Sequence, residues 1–127
     1  MSTIIATTLS NGSVSVPTAT VVNGSAKSWV NFNGSGTIAA RDSFNFSSLT
    51  DNATGNYTVS ITNAMADANY VVLLTAGNDT IGFMNIASQY FGNLNTTTTM
   101  QFLTAQGTDT NSADATRVYV AFLGDLA

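Results

Sequence analysis

The sequence predicts an all-β fold, an antiparallel β-sandwich of jelly-roll-like plan, on three observations. Apolar residues alternate with period two far more often than they recur at helical spacing, which gives a strand one buried and one wet face. The alternating runs are short. They are separated by Asn11-Gly12, Asn23-Gly24 and Asn33-Gly34, dipeptides that accept the positive φ of tight hairpin turns. Short strands at regular spacing with such turns are the pattern of sandwiches and barrel-like domains.

Taken in order, strands are expected near residues 3–9, 13–17, 27–32, 37–47, 56–62, 69–76, 80–87, 98–105 and 116–123. The first two flank Asn11-Gly12 in a Thr- and Ser-rich stretch that contains the only proline, Pro17. Residues 1–20 therefore read as an edge strand or as an arm that attaches the domain to something else, and 21–127 as the β-domain. In the fifth strand Tyr57, Val59 and Ile61 share one face, while Thr58, Ser60 and Thr62 share the other. The last strand differs. Val118, Val120 and Phe122 alternate with Tyr119, Ala121 and Leu123, so both faces are apolar, as in a strand covered on two sides by a sandwich core or by another subunit. Residues 63–69, NAMADAN, have room for one helical turn, and no longer helix is expected. Phe44, Phe46 and Phe122 are assigned to the core.

A chain of 127 residues is long enough to build one core and bury roughly two thirds of its unfolded surface. Charged residues are only 8% of it, against about 25% in an average domain. Hydroxyls and amides must keep the surface wet, so close self-association strips few ions of water. That favours oligomers. The net charge of -4 comes entirely from Asp, opposed by Lys27, Arg41 and Arg117. Three scattered cations are no footprint for a phosphate backbone or an anionic membrane. Neutral polar partners, glycans or further copies of the chain, remain. No segment reads as a secretory leader or a membrane span.

Catalysis is hard to place in a chain without His, Cys or Glu, because these supply most general acids, bases and nucleophiles. Asp51, Asp67, Asp79, Asp109 and Asp114 lie in Asn-, Gly-, Ser- or Thr-rich segments, where Asp turns the backbone with its side-chain oxygen. A polysaccharide-cleaving Asp pair is the weaker reading of them. The string Gly34-Ser35-Gly36-Thr37-Ile38-Ala39 matches a dinucleotide pattern, but the following TIAARDSFNF reads as strand where that site needs a helix. The Asn-x-Ser/Thr strings coincide with turns. Asp109 to Asp114 has the opening spacing of a calcium loop without its central Gly and closing Glu. No cofactor or metal is expected. Trp29 and the loop residues Tyr90, Phe91 and Asn93 are candidate ligand contacts, since exposed aromatics anchor interfaces and stack on sugars.

Residues 26–61 hold the only Trp and two of the three basic residues. Ala26, Lys27, residues 29–34, Gly36, Arg41, residues 43–45, Ser47, Ser48, residues 50–52, Thr54, Gly55 and residues 57–59 together resemble a module of tailed-bacteriophage structural proteins. Its bearers are tail-fibre and tail-knob proteins of phages of aquatic bacteria. Residues 63–70 and 118–125 continue the likeness more loosely. Asn56, Ala66 and Ala40 depart from it, the first by removing a carboxylate from a turn. The resemblance implies a non-enzymatic virion protein, a homotrimer in a tail fibre or knob that contacts host surface glycan and other virion proteins. The alternative it allows is a capsid decoration protein. It also implies that Lys27, Trp29, Arg41 and Asp42 are interface or architectural residues, with Arg41 paired to a carboxylate or bridging subunits.

Overall fold

The computed structural model describes residues 3–79, 84–89, 95–107 and 111–127. An antiparallel all-β fold is what it contains. A small hairpin, β1 (Thr8–Ser10) and β2 (Ser15–Pro17), leads into a short helix, α1 (Thr18–Gly24). The body follows as β3 (Ala26–Asn33), β4 (Ala39–Phe44), β5 (Phe46–Ala53), β6 (Asn56–Ile61), β7 (Val71–Gly77), β8 (Met84–Gln89), β9 (Thr99–Gln106) and β10 (Arg117–Leu123). These eight form one sheet in the order β4-β3-β10-β7-β8-β9-β6-β5, and every neighbouring pair is antiparallel.

The sheet curls over on itself. β3 and β6 stand second and seventh in the strand order, so in a flat sheet they would lie roughly 24 Å apart at about 4.8 Å per strand. Yet the rings of Phe32 on β3 and Tyr57 on β6 meet edge to face with centroids 5.3 Å apart, and Phe102 on β9 joins them at 6.2 and 5.7 Å. The two halves thus share one core. Val30 and Phe32, Tyr57, Val59 and Ile61, Met100 and Phe102, and Val118, Val120 and Phe122 fill it from β3, β6, β9 and β10, each set spaced by two. Tyr70 and Met65 close one end, Tyr70 against Phe122 at 5.5 Å.

Asn45 makes the corner between β4 and β5. It is the one non-glycine residue at positive φ, 52°, among the described residues, a conformation that Asn tolerates because its side chain can bond nearby backbone. Its Nδ2 donates to the carbonyls of Lys27 and Asn63, and its Oδ1 accepts from the Asn63 amide at 2.8 Å. Behind it the buried Ser28 hydroxyl lies 3.1 Å from the Phe44 carbonyl and 3.2 Å from that of Asn45. A corner rather than one long strand over 37–47 results. Beyond it β5 pairs with β6 through a segment, FSSLTDNA, of which only Phe46 and Ser47 fall within an expected strand. An edge strand needs backbone partners more than an apolar stripe, and only Phe46 and Leu49 of β5 pack on the core.

Other expectations need correcting. The helix is α1, not a turn over 63–69, where the backbone bends and Met65 bridges to Leu126. Asn23-Gly24 ends that helix instead of turning a hairpin, whereas Gly12, at φ 94°, does sit between β1 and β2. Phe44 lies outside the core, while Phe122 lies within it and Phe46 against it. No residue from 3 to 25 is buried, and α1 contributes none to the core. β10 buries one face in the core. Tyr119 is exposed, with Ala121 and Leu123 half-buried, so its second apolar face lacks a full cover among the described residues.

Candidate interaction face

The outer side of β4-β3-β10-β7 carries the most unusual surface in the described residues. Register dictates its layout, because directly opposed residues on antiparallel strands project to the same side. Phe44 faces Trp29, Trp29 faces Ala121, and Ala121 faces Leu73, so four strands contribute one unbroken apolar row. Val71 opposite Leu123 extends it. Phe44, Leu73, Val71 and Tyr119 are 55%, 57%, 58% and 41% exposed, and Trp29, Leu73, Tyr119 and Ala121 line a shallow groove of about 360 Å³. Large apolar side chains clustered on an outer face mark an interaction site, whereas single ones need no explanation.

The neighbouring row is polar: Asp42, Asn31, Tyr119 and Thr75 stand opposite one another in turn. A bulge between Asn31 and Phe32 leaves Arg41 as the extra residue on β4, and such insertions re-aim a side chain. Its guanidinium reaches past β3, donating from Nη2 to the Thr116 carbonyl at 2.6 Å and from Nη1 to Asn31 Oδ1 at 3.4 Å. Among the described residues Arg41 therefore meets a carbonyl and an amide, not the carboxylate that is one of its two expected partners. The ion pair here belongs to Arg117 and Asp79, 2.5 Å apart with both side chains more than half exposed, a setting in which such pairs add little stability. Asn31, Arg41, Asp79, Arg117 and Tyr119 line a second hollow of about 310 Å³ at this end. Asp42 accepts from the Ser43 amide at 2.8 Å. With two arginines and two aspartates the face is formally neutral.

Lys27 serves a different purpose. Its ammonium donates to the Val22 carbonyl, to the Ser25 carbonyl at 3.0 Å and to Ser25 Oγ at 3.1 Å. A cation on free carbonyls at a helix C-terminus is a favourable cap, and it ties α1 to the root of β3. Of the expected site residues, Trp29, Arg41 and Asp42 come together on one face and Lys27 anchors the arm. Tyr90, Phe91, Asn93 and Asp109 lie outside the described residues. Sequence reasoning missed Leu73, Val71 and Phe44. The run VVLLTAG of β7 carries the same signal as β10, apolar residues on both faces.

The polar cluster around Asp114 is structural. Asp114 Oδ1 accepts from the Gly55 amide at 2.7 Å and from the Tyr57 hydroxyl at 3.0 Å, and that hydroxyl also lies 2.6 Å from the Gly34 carbonyl. Asp114 thereby staples the loop before β10 to the β5–β6 turn and to the core. No nucleophile or second carboxylate joins it in these contacts. The string Gly34 to Ala39 runs into strand β4, so it offers no helix terminus for a pyrophosphate.

Burial, and then the hydrogen bond and negative charge of Asp114, hold the Tyr57 phenol well above its ordinary range, and burial pushes Tyr70 up to about 12. Tyrosines of the unfolded chain ionise near pH 10. Both folded-state values are raised, so the stabilisation is complete below about pH 10 and is lost as pH climbs through about 12, at roughly 1.4 kcal/mol per unit and group. Melting temperature should hold up to about pH 10 and then fall steeply, with tyrosinate absorbance rising as the fold is lost. Tyr70→Phe should flatten part of that slope; an unchanged slope would mean Tyr70 already ionises in the folded state.

Comparison with protein-family models, with curated proteins and with solved structures found no match to this chain.

Proposed function

We propose that the chain is a non-enzymatic structural protein of a phage virion, a β-sandwich that works as a homotrimer in a tail fibre or knob. The observation that carries this reading is the outer face of β4-β3-β10-β7, an apolar row open to solvent in a single copy and bordered by mutually cancelling charges. That surface suits contact with another protein surface. It is not built as a cleft around a reacting bond. The likeness of residues 26–61 to tail-fibre and tail-knob modules supplies the virion setting. Several residues of that stretch have architectural work in this fold: Ser28 and Asn45 hold the corner, Gly34, Gly55 and Tyr57 the core staple, and Lys27 the arm.

Host contact then rests on the hydroxyl- and amide-rich remainder of the surface, which suits neutral glycans. Several weak polar contacts become strong when copies engage together, because each later contact is intramolecular. Two measurements test the reading. Light scattering should give three times the monomer mass, and labelled antibodies should mark the protein on purified phage particles at the tail. Label over the head at lattice spacing would make it a capsid decoration protein instead. Particles free of the protein would overturn the virion reading.

A further inference from the structure

Two apolar surfaces lack a cover among the described residues. One is the outer row of Phe44, Trp29, Ala121 and Leu73, with Tyr119 beside it. The other is the N-terminal arm, whose Leu9, Val14, Val21 and Val22 are exposed and which, from residue 3 to 25, buries nothing. Leu9, Val14, Val16 and Val21 gather around a hollow of about 300 Å³ on the hairpin. The arm runs into β3 at Ala26, three residues before Trp29, and is tied at its root by Lys27, while Leu73 and Tyr119 stay exposed.

Charge matches the two surfaces to each other. Residues 1–26 contain no charged side chain, and Arg41, Arg117, Asp42 and Asp79 on the face cancel. The net charge of -4 belongs to the other charged residues, Lys27 against five Asp. Copies of an acidic chain repel where like charges meet, so neutral surface is where they can touch at least cost. Symmetry chooses between face on face and face on arm. A self-complementary contact closes as a dimer, whereas a ring of three needs each copy to offer two different surfaces.

We infer that the N-terminal arm of one copy lies on the Trp29–Leu73–Tyr119 face of the next, closing the trimer head to tail. This rests on the homotrimeric reading above and adds the surfaces that form the contact. The bulge-aimed Arg41 and the Arg117–Asp79 pair border the seat and leave the charged end of the face outward.

The test uses the full chain and two exposed sites whose substitution spares the core. Leu73→Asp breaks the face, and Val14→Asp with Val21→Asp breaks the arm. Each variant alone should have monomer mass by light scattering with an unchanged far-ultraviolet spectrum. Emission of Trp29, the chain's single tryptophan, should shift to the red in each relative to the wild type. An equimolar mixture should recover twice the monomer mass, because the intact arm of the first variant still fits the intact face of the second. Val71→Asp is the second face variant should Leu73→Asp misfold. A trimeric wild type whose arm variant also stays trimeric, or a mixture that stays monomeric, overturns the arm contact and leaves the oligomer standing. A wild type that is monomeric at every concentration overturns both.

Discussion

Gly55→Ala should lower the melting temperature by about 10 °C or more, the largest loss expected from adding one methyl group to this chain. Two separate causes add. Gly55 has φ +65°, and an L-residue in that region is strained by about 1–2 kcal/mol. A Cβ there would also stand 2.6 Å from the Ala113 amide nitrogen and 2.6 Å from the Thr104 carbonyl oxygen, backbone atoms that cannot swing aside as a side-chain tip can. Overpacking of this kind typically costs about 1–3 kcal/mol. Relief by shifting the turn would break what the turn holds: the Gly55 carbonyl accepts from the Thr104 amide at 2.8 Å, and the Gly55 amide donates to Asp114. The control is Gly36→Ala. Gly36 has a similar φ of +64°, with nothing within 4 Å of the added methyl, so it isolates the conformational part. At about 3–5 °C per kcal/mol for a domain of this size, Gly36→Ala should lose only a few degrees. Equal losses at the two positions would mean that the close packing around Gly55 contributes nothing.

Phe32→Ala should cost about 3–5 kcal/mol, the range for emptying a buried aromatic site. Its ring is fully buried and touches both Tyr57 and Phe102, which belong to the other half of the curled sheet. Removing it deletes the aromatic contacts that bridge the halves, and the strand backbones on either side are hydrogen-bonded and cannot collapse far into the gap. Against a total stability of about 5–15 kcal/mol, that loss leaves the fold marginal. Urea denaturation under conditions that keep the protein monomeric is the measurement. Phe44→Ala is the comparison, since its ring sits on the outer face and is more than half exposed; it should change monomer stability by no more than about 0.5 kcal/mol. A loss below about 1 kcal/mol for Phe32→Ala would show that the two halves are held by something other than this cluster.

How much of the interaction face was legible in the sequence follows from the range of the signals. Trp29, Arg41 and Asp42 stand out as rare residues in a nearly uncharged chain, and β10 announces an apolar outer face through Tyr119, Ala121 and Leu123. Phe44 and Leu73 do not stand out. They join the row only because β4 lies beside β3 and β7 beside β10, a fact about partners far apart in the chain. Arg41 likewise found its partner, the Thr116 carbonyl, across 75 positions.

The sequence by itself determined the local geometry: period-two alternation set the inward faces of β3, β6, β9 and β10, and Asn11-Gly12 set the first hairpin, with Gly12 at φ 94°. It misread two segments whose local chemistry points elsewhere. TATVVNG is rich in β-branched residues yet forms α1, started by Pro17 with its fixed φ of -56° and closed by Lys27 on its last carbonyls. FSSLTDNA lies mostly outside the expected strands yet pairs along β6. Only the tertiary structure decided the strand order, the curl that brings Phe32 to Tyr57, the staple from Asp114 to Gly55, and the exposure of the second face of β10. Alternation and turns are written in residues a few positions apart, whereas these outcomes depend on which distant backbone completes each strand's hydrogen bonds, and no short stretch of chain carries that choice.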